Sequence, residues 1–188
     1  MPNFAKFFNW QIVGKFSEFK LALKSMPIGT HEFEYQLDGQ FFKEMESADI
    51  HDASLTVNLT VNRKDDFYNM AFAFIGDITI LCDRCLDEML LDIDTEYNIV
   101  VKYGEAYDDS SDEVLIIPEN DNYFNVAQLI YDTVSLEVPI VHMHDDGECN
   151  EYMSEVLRQH SASEPGNEED EDTAIDPRWN ELKKLTEK

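Results

Sequence analysis

The stretch MAFAFIGDITILCDRCLDEMLLDIDTEYNIVVKY (residues 70–103) contains two runs of alternating apolar and polar residues, separated by a Cys-x-x-Cys step. Apolar side chains at every second position are typical of a strand that buries one face. Two such runs joined by a short turn predict an antiparallel pair, with Cys82 and Cys85 at the corner between the strands. Gly76, inside the first run, indicates a bulge or a close approach of two backbones.

Shorter alternating runs precede this pair, at residues 17–24, 31–37 and 55–61. The polar run NRKDD at residues 62–66 indicates a hairpin turn between the last of these runs and the long strand that follows. Several strands in succession predict an antiparallel β-sheet, either curled or closed into a barrel-like form.

The second half of the chain changes character. An acidic loop at residues 108–113 is followed by Val114–Pro118, which is typical of a short buried strand. The run NVAQLIYDTVSLEVP predicts a central helix in which Asn125 is the N-cap, Gln128 completes a capping box and Pro139 ends the helix. We therefore predict an α+β fold, with one central helix and a short C-terminal helix.

The C-terminal part begins with a charged segment. Residues 168–172 are five consecutive acids, which are typical of a solvated linker. After them, Asp176 is expected to cap a short helix, Pro177 to occupy its first turn, and Trp179 and Leu182 to dock it. We predict a flexible arm at residues 1–15, one β-rich domain at 16–160, an acidic linker at 161–175 and a C-terminal docking helix at 176–188.

The chain is strongly acidic. Its 40 acidic and 14 basic residues give a formal net charge of -26. Such a surface repels phosphate backbones, which excludes non-specific nucleic-acid binding through the whole surface and favours a basic protein partner or a cation. The alternative is an acidic surface without a dedicated partner. No run approaches the roughly 20 apolar residues that a membrane helix needs, so the cytoplasm is the expected location.

The three cysteines are too few for a disulfide framework. Cys82, Cys85, His144 and Cys149, with His142 as the alternative ligand, match the donors of a tetrahedral zinc site of three thiolates and one imidazole. Two alternatives remain open. The Cys-x-x-Cys step is also found in redox pairs, although those open a helix and here a strand follows. The cysteines could also be reduced side chains that only pack at the corner.

No motif of a known enzyme class is present. The sequence lacks a Ser-His-Asp spacing, a phosphate-binding glycine loop and a metalloprotease helix, so we expect neither enzymatic activity nor a small-molecule substrate. Arg63, Lys64 and Arg84 are the candidate contacts to a partner or to RNA, because a local basic patch beside aromatic residues can bind RNA despite an acidic surface.

The order of these features resembles the YceD family of bacterial proteins, from about Gly14 to the C-terminus. The resemblance is carried by Cys82, Arg84, Cys85 and Leu86 between two alternating strands, and by Asp176, Pro177 and Leu182 near the end. Many family members have a second Cys-x-x-Cys pair after the Val-Pro segment. This chain has only Cys149 there, preceded by His142 and His144, so metal binding would require a histidine in place of a thiolate.

The resemblance implies a non-enzymatic role in the accumulation of large-subunit ribosomal RNA. The expected partner is a basic ribosomal protein or a precursor of the large subunit, because an acidic protein could hold a basic one before assembly. Direct binding to ribosomal RNA is the alternative. A thiol- or metal-dependent redox enzyme ranks third.

Overall fold

The computed structural model describes residues 16–145 and 147–160. The expected arm, acidic linker and docking helix, with Asp176, Pro177, Trp179 and Leu182, lie outside these residues. The strands are β1 (Lys20–Leu21), β2 (Gly29–Asp38), β3 (Asp52–Arg63), β4 (Phe67–Leu81), β5 (Glu88–Gly104), β6 (Val114–Pro118) and β7 (Phe124–Asn125). The α-helices are α1 (Gly39–Glu44), α2 (Ala127–Glu137) and α3 (Glu151–His160), and a 3₁₀ turn spans Leu23–Ser25. None of the described helices combines the length and apolar composition needed to span a membrane.

The chain divides after Asn150 into two compact units. The first contains every described strand together with α1 and α2, and the second contains α3. Helix α3 ends in basic residues, and Arg158 forms an ion pair with Glu155 one turn earlier.

The main sheet has five strands in the order β2-β3-β4-β5-β6, so the predicted α+β fold is confirmed. β2 to β5 pair antiparallel with their neighbours, as expected, and among the described residues the sheet is open and not a closed barrel. β6 is a correction to the all-antiparallel prediction, because Val114–Pro118 runs parallel to β5. After β5 ends at Gly104, the acidic loop runs back along the strand and brings Glu113 beside Val100. β6 then starts opposite Val100 and runs in the same direction as β5.

One face of the sheet carries the core. Met70, Phe72 and Phe74 of β4 point into this face and are at most 1% exposed. Ile130 and Val134 of α2 belong to the same buried cluster, together with a group of aromatic rings from the N-terminal segment and α1. Burying each such side chain contributes about 1.5–3 kcal/mol. The alternation in the sequence therefore identified the buried face.

Gly76 lies at a close approach of two strands, and this part of its prediction is confirmed. Its φ is +142°, and a Cβ added there would overlap the carbonyl oxygen of Ser54 on β3. The register passes through Leu55, Gly76 and Ile93 without a skipped residue, so the glycine does not mark a bulge.

Two local predictions were wrong. In residues 17–24 only Lys20–Leu21 forms a strand, because its partner β7 is two residues long; Phe19, Leu21 and Leu23 are nevertheless buried. Helix α2 has Val126 as N-cap, and the Asn125 side chain accepts from the Ala127 N–H at 2.9 Å. The capping box is absent because the Gln128 amide donates to Asp132, one turn further along the helix.

The other face of the sheet is polar and exposed over most of its area. We call the residues Glu32, Glu34, Asp77, Asp92, Asp94 and Glu96 on this side the acidic face; all but the half-buried Asp77 are exposed. Asp77 and Asp92 are directly opposite each other on β4 and β5. Among the strand residues that the structure describes on this side, Lys102, at the far end of β5, is the only basic one.

Candidate metal centre

The corner between β4 and β5 is a tight turn that directs two thiols inward. The Leu86 N–H donates to the carbonyl of Cys82 at 2.9 Å, and the Cys82 N–H donates to the carbonyl of Asp87 at 2.9 Å. The Arg84 N–H is 3.4 Å from the Cys82 sulfur. Cys82 and Cys85 are consequently buried on the same side of the turn.

A second segment, which follows α2, packs against this corner. The Asp83 N–H donates to the carbonyl of His142, and the His142 N–H donates to the Asp83 carboxylate, each at 2.9 Å. These two hydrogen bonds hold the segment beside the turn. As a result, His144 and Cys149 lie next to the first two cysteines although they are about 60 residues away in sequence.

The four side chains form one compact cluster. The sulfurs of Cys82 and Cys149 are 3.9 Å apart, and the Cys85 sulfur is 3.3 Å from Nδ1 of His144. All four donor atoms lie within 4.8 Å of one another. A tetrahedral zinc site with ordinary bond lengths has sulfur–sulfur edges of about 3.8 Å and sulfur–nitrogen edges of about 3.6 Å. The cluster therefore has the dimensions and the donor set of such a site.

The two histidines of the segment have different roles. Nε2 of His144 is 3.3 Å from the carbonyl of Glu88, and as a donor to that carbonyl it leaves Nδ1 with a free lone pair beside Cys85. His142 instead has Nδ1 3.0 Å from the Pro139 carbonyl and Nε2 3.5 Å from Asp83. Of the two candidate ligands, the structure brings His144 and not His142 to the cysteines.

The surroundings of the cluster lower the pKa of two of its three thiols. Burial raises the pKa of Cys82, but hydrogen bonds from the backbone of Cys85, His144 and Arg84 outweigh it and lower this pKa to about 6. At Cys85, burial is likewise outweighed by backbone hydrogen bonds from Asn150 and Asp87, and the pKa is lowered. Burial and the two neighbouring thiols raise the pKa of Cys149 to about 11.

His144 completes the charge pattern. Its hydrogen bond with Cys85 raises the pKa of the imidazole, while burial opposes the shift. Two thiols with lowered pKa values beside an imidazole form a donor set that suits a cation.

The candidate contact residues are at opposite ends of β4. Arg84 is half-buried in the corner that follows the strand. Arg63 and Lys64 precede the strand and differ from each other. Arg63 donates to the carbonyls of Met26 and Lys24, so its guanidinium joins β3 to the N-terminal segment. Lys64 is exposed, with Nζ 5.6 Å from the centre of the Phe67 ring.

Sequence reasoning missed two surfaces. It counted acidic residues without locating the acidic face, which requires the strand register. It also missed a group of exposed apolar residues around the metal cluster. One signal was present, since Leu90 occupies a polar position of the β5 alternation and Ile140-Val141 directly follow the proline that ends α2.

Comparison with known proteins leaves one match. No curated protein and no solved structure matches this chain. The family model described as "Large ribosomal RNA subunit accumulation protein YceD" matches residues 70–186, which is more than half of the chain. The matched region starts in β4 and includes all four residues of the metal cluster. The resemblance seen in the sequence is thus confirmed, and the chain belongs to the YceD family.

Proposed function

We propose that this protein is a non-enzymatic factor that supports accumulation of large-subunit ribosomal RNA by binding a basic protein component of the subunit precursor. The family description implies the role in ribosomal RNA accumulation. The acidic face is the observation that supports a basic protein as the partner. The cytoplasm, where such precursors assemble, is the expected location.

The acidic face extends across four strands of the sheet. Glu34 on β2 and Glu96 on β5 are three strand spacings apart, or about 14 Å. Charge complementarity over such an area accelerates encounter with a basic protein and disfavours the phosphates of RNA.

The face also contains an intrinsic destabilising element. Asp77 and Asp92 are like charges directly opposite each other on neighbouring strands, an arrangement that is destabilising. The hydrogen bond with Asp92 and burial raise the pKa of Asp77. A bound lysine or arginine would relieve the same repulsion, which supports a cationic occupant.

Zinc is the proposed metal, with a structural role. Cys82, Cys85, His144 and Cys149 would hold it, and it would join the β4–β5 corner to the segment after α2. Four protein ligands leave no open position for catalysis. Thiol chemistry on a substrate needs an accessible thiolate, whereas Cys82 and Cys85 are 0% and 2% exposed. This burial argues against a redox enzyme.

A complementation experiment tests the proposal. Deletion of the gene is expected to lower mature large-subunit ribosomal RNA relative to the small subunit, measured on sucrose gradients. Wild-type protein should restore the ratio, and a variant with Asp92→Asn, Asp94→Asn and Glu96→Gln should not. The matched control is Asp109→Asn, Asp112→Asn and Glu113→Gln in the acidic loop, which removes the same charge elsewhere. Equal rescue by both variants would refute a role for the acidic face.

Direct RNA binding is the second candidate, and one observation favours it. Lys64 and Lys102 both place Nζ within 6.0 Å of the centre of the Phe67 ring, which forms a small basic and aromatic patch at the β3–β4 turn. If this patch binds ribosomal RNA, Lys64→Glu with Lys102→Glu should abolish the binding and remove its salt dependence. Arg63→Glu is a poor test because Arg63 holds the fold together.

A further inference from the structure

Large exposed apolar side chains are found in the two segments that carry Cys82, Cys85, His144 and Cys149. We call Leu86, Leu90, Ile140, Val141 and Met143 the apolar collar. Ile140 is 100% exposed, Leu90 70% and Leu86 61%. Single exposed apolar residues need no explanation, but a group of them at one place marks a contact site.

The collar is assembled by the same contacts that build the cluster. Two hydrogen bonds, from the Asp83 N–H to the His142 carbonyl and from the His142 N–H to the Asp83 carboxylate, place Val141 and Met143 beside the turn that carries Leu86. The hydrogen bond between His144 and the carbonyl of Glu88 holds the same segment beside the strand that carries Leu90. Two separate parts of the chain, residues 86–90 and 140–143, therefore lie together at this end of the sheet.

Leu86 has a strained backbone conformation. Its φ is +62°, in the left-handed region, which costs a residue with a Cβ about 1–2 kcal/mol. Glycine or asparagine would adopt this conformation more readily. Because most of the leucine side chain is exposed, core packing does not account for it. Strained backbone that the core does not require is found at functional sites.

The collar is continuous with the acidic face. Leu90 is on the same side of β5 as Asp92 and Asp94. The pairing of β4 with β5 continues without a break from Thr79 opposite Leu90 to Asp77 opposite Asp92. On β5, the acidic face is therefore followed by the apolar side chain of Leu90 near the β4–β5 corner.

We propose that the apolar collar and the acidic face form one docking surface for a basic polypeptide segment of a partner protein, with apolar anchor residues beside its Lys/Arg run. This inference rests on the proposed function and specifies the partner class. Charge complementarity selects the occupant, because a second copy of the chain or an anionic lipid surface would bring like charge onto the acidic face. The apolar anchors would supply the affinity that charge alone lacks, as buried apolar residues do at the centres of interfaces.

Two synthetic peptides test the proposal with the full-length protein. One is Lys/Arg-rich with two leucines and a phenylalanine at one end, and the other has serines in place of these three. Fluorescence anisotropy is expected to show the first binding at least about tenfold more tightly, because burial of one apolar side chain contributes about 1.5–3 kcal/mol. Ile140→Ser with Val141→Ser should remove that advantage and leave binding of the serine peptide unchanged.

The matched control is Ile28→Ser, which changes an exposed isoleucine at the opposite end of the sheet and should alter neither affinity. Circular dichroism verifies that each variant is folded. Equal affinity for the two peptides, or no binding of either, overturns the collar proposal, and so does self-association that the collar variant abolishes. The proposed function is tested separately, by the complementation experiment. Full rescue by the collar variant beside failure of the acidic-face variant would reject the collar and keep the function.

Discussion

The two ends of β4 are built in different ways. At its start, the turn at residues 62–66 is polar and closes locally, with the Lys64 N–H donating to the carbonyl of Phe67 at 2.9 Å. At its end, the corner at residues 82–87 depends on His142, His144 and Cys149 from the other half of the chain. Both turns have local hydrogen bonds, but the corner also makes contacts with residues 142–149, and these contacts form only when that distant segment packs against it. Mutations at the corner should therefore propagate further than mutations at the turn.

The largest expected effect is loss of the metal. Cys85→Ser should abolish stoichiometric zinc, measured by elemental analysis of the purified protein. It should also increase hydrogen exchange at residues 82–87 and 139–149 while residues 62–66 stay protected, because zinc links only the first two segments. His142→Ala is the matched control and should retain the metal. Zinc-free wild-type protein with a protected corner would contradict the prediction.

Gly76→Ala should have the next largest effect. Both the left-handed φ and the overlap with Ser54 oppose a Cβ, and we expect a loss of about 3 kcal/mol in the free energy of unfolding, measured by urea titration. Gly29→Ala is the control, since Gly29 has a similar φ of +135° but nothing within 4 Å of the added Cβ. The difference between the two variants isolates the steric overlap, and equal losses would show that no close approach exists.

Arg63 and Lys64, neighbours at the β3–β4 turn, are expected to contribute differently to stability. Arg63→Met should destabilise the protein by about 2 kcal/mol, because it removes the donors to the carbonyls of Met26 and Lys24. Lys64→Met should change stability by less than about 0.5 kcal/mol, because its side chain is exposed. Thermal unfolding of both variants measures the difference. Similar stabilities would mean that Arg63 does not join the N-terminal segment to the sheet.

Leu86→Gly should have the smallest effect on stability and the opposite sign. Relief of the left-handed strain is expected to raise the free energy of unfolding by at most about 1 kcal/mol, since the flexible unfolded chain offsets part of the gain. Binding of the leucine-containing basic peptide should nevertheless weaken. A variant that loses stability would indicate that Leu86 belongs to the core and not to a contact surface.

The strands that pair with sequence neighbours were predictable. Phe72 and Phe74 alternate with small or polar residues, and such alternation determines both the strand and its buried face. The Cys-x-x-Cys corner followed from the two runs on either side of it. The direction of β6 was not predictable, because Val114–Pro118 is apolar on both faces and its pairing depends on the path of the acidic loop.

The four residues that could hold a metal, with His144 ahead of His142, were predictable from the sequence, but the contact that separates the two histidines was not. His142 and His144 occupy equivalent positions in an extended segment, so the sequence pattern does not distinguish them. The difference between them comes from Asp83, whose N–H and carboxylate bind the main chain of His142. With the main chain held there, the His144 side chain lies beside Cys85. Such a choice depends on contacts between residues almost 60 positions apart, which local patterns do not encode.

An open sheet has two unpaired margins, and here each is protected against edge-to-edge association. The outer main-chain groups of Ile116 on β6 are paired with Asp108, and the strand stops at Pro118, which lacks an N–H. At the other margin, β2 carries a carboxylate at Glu32 and again at Glu34, so two copies would repel each other before their strands could pair. The charge for which we propose a basic partner would thereby also oppose strand pairing between two copies of the chain.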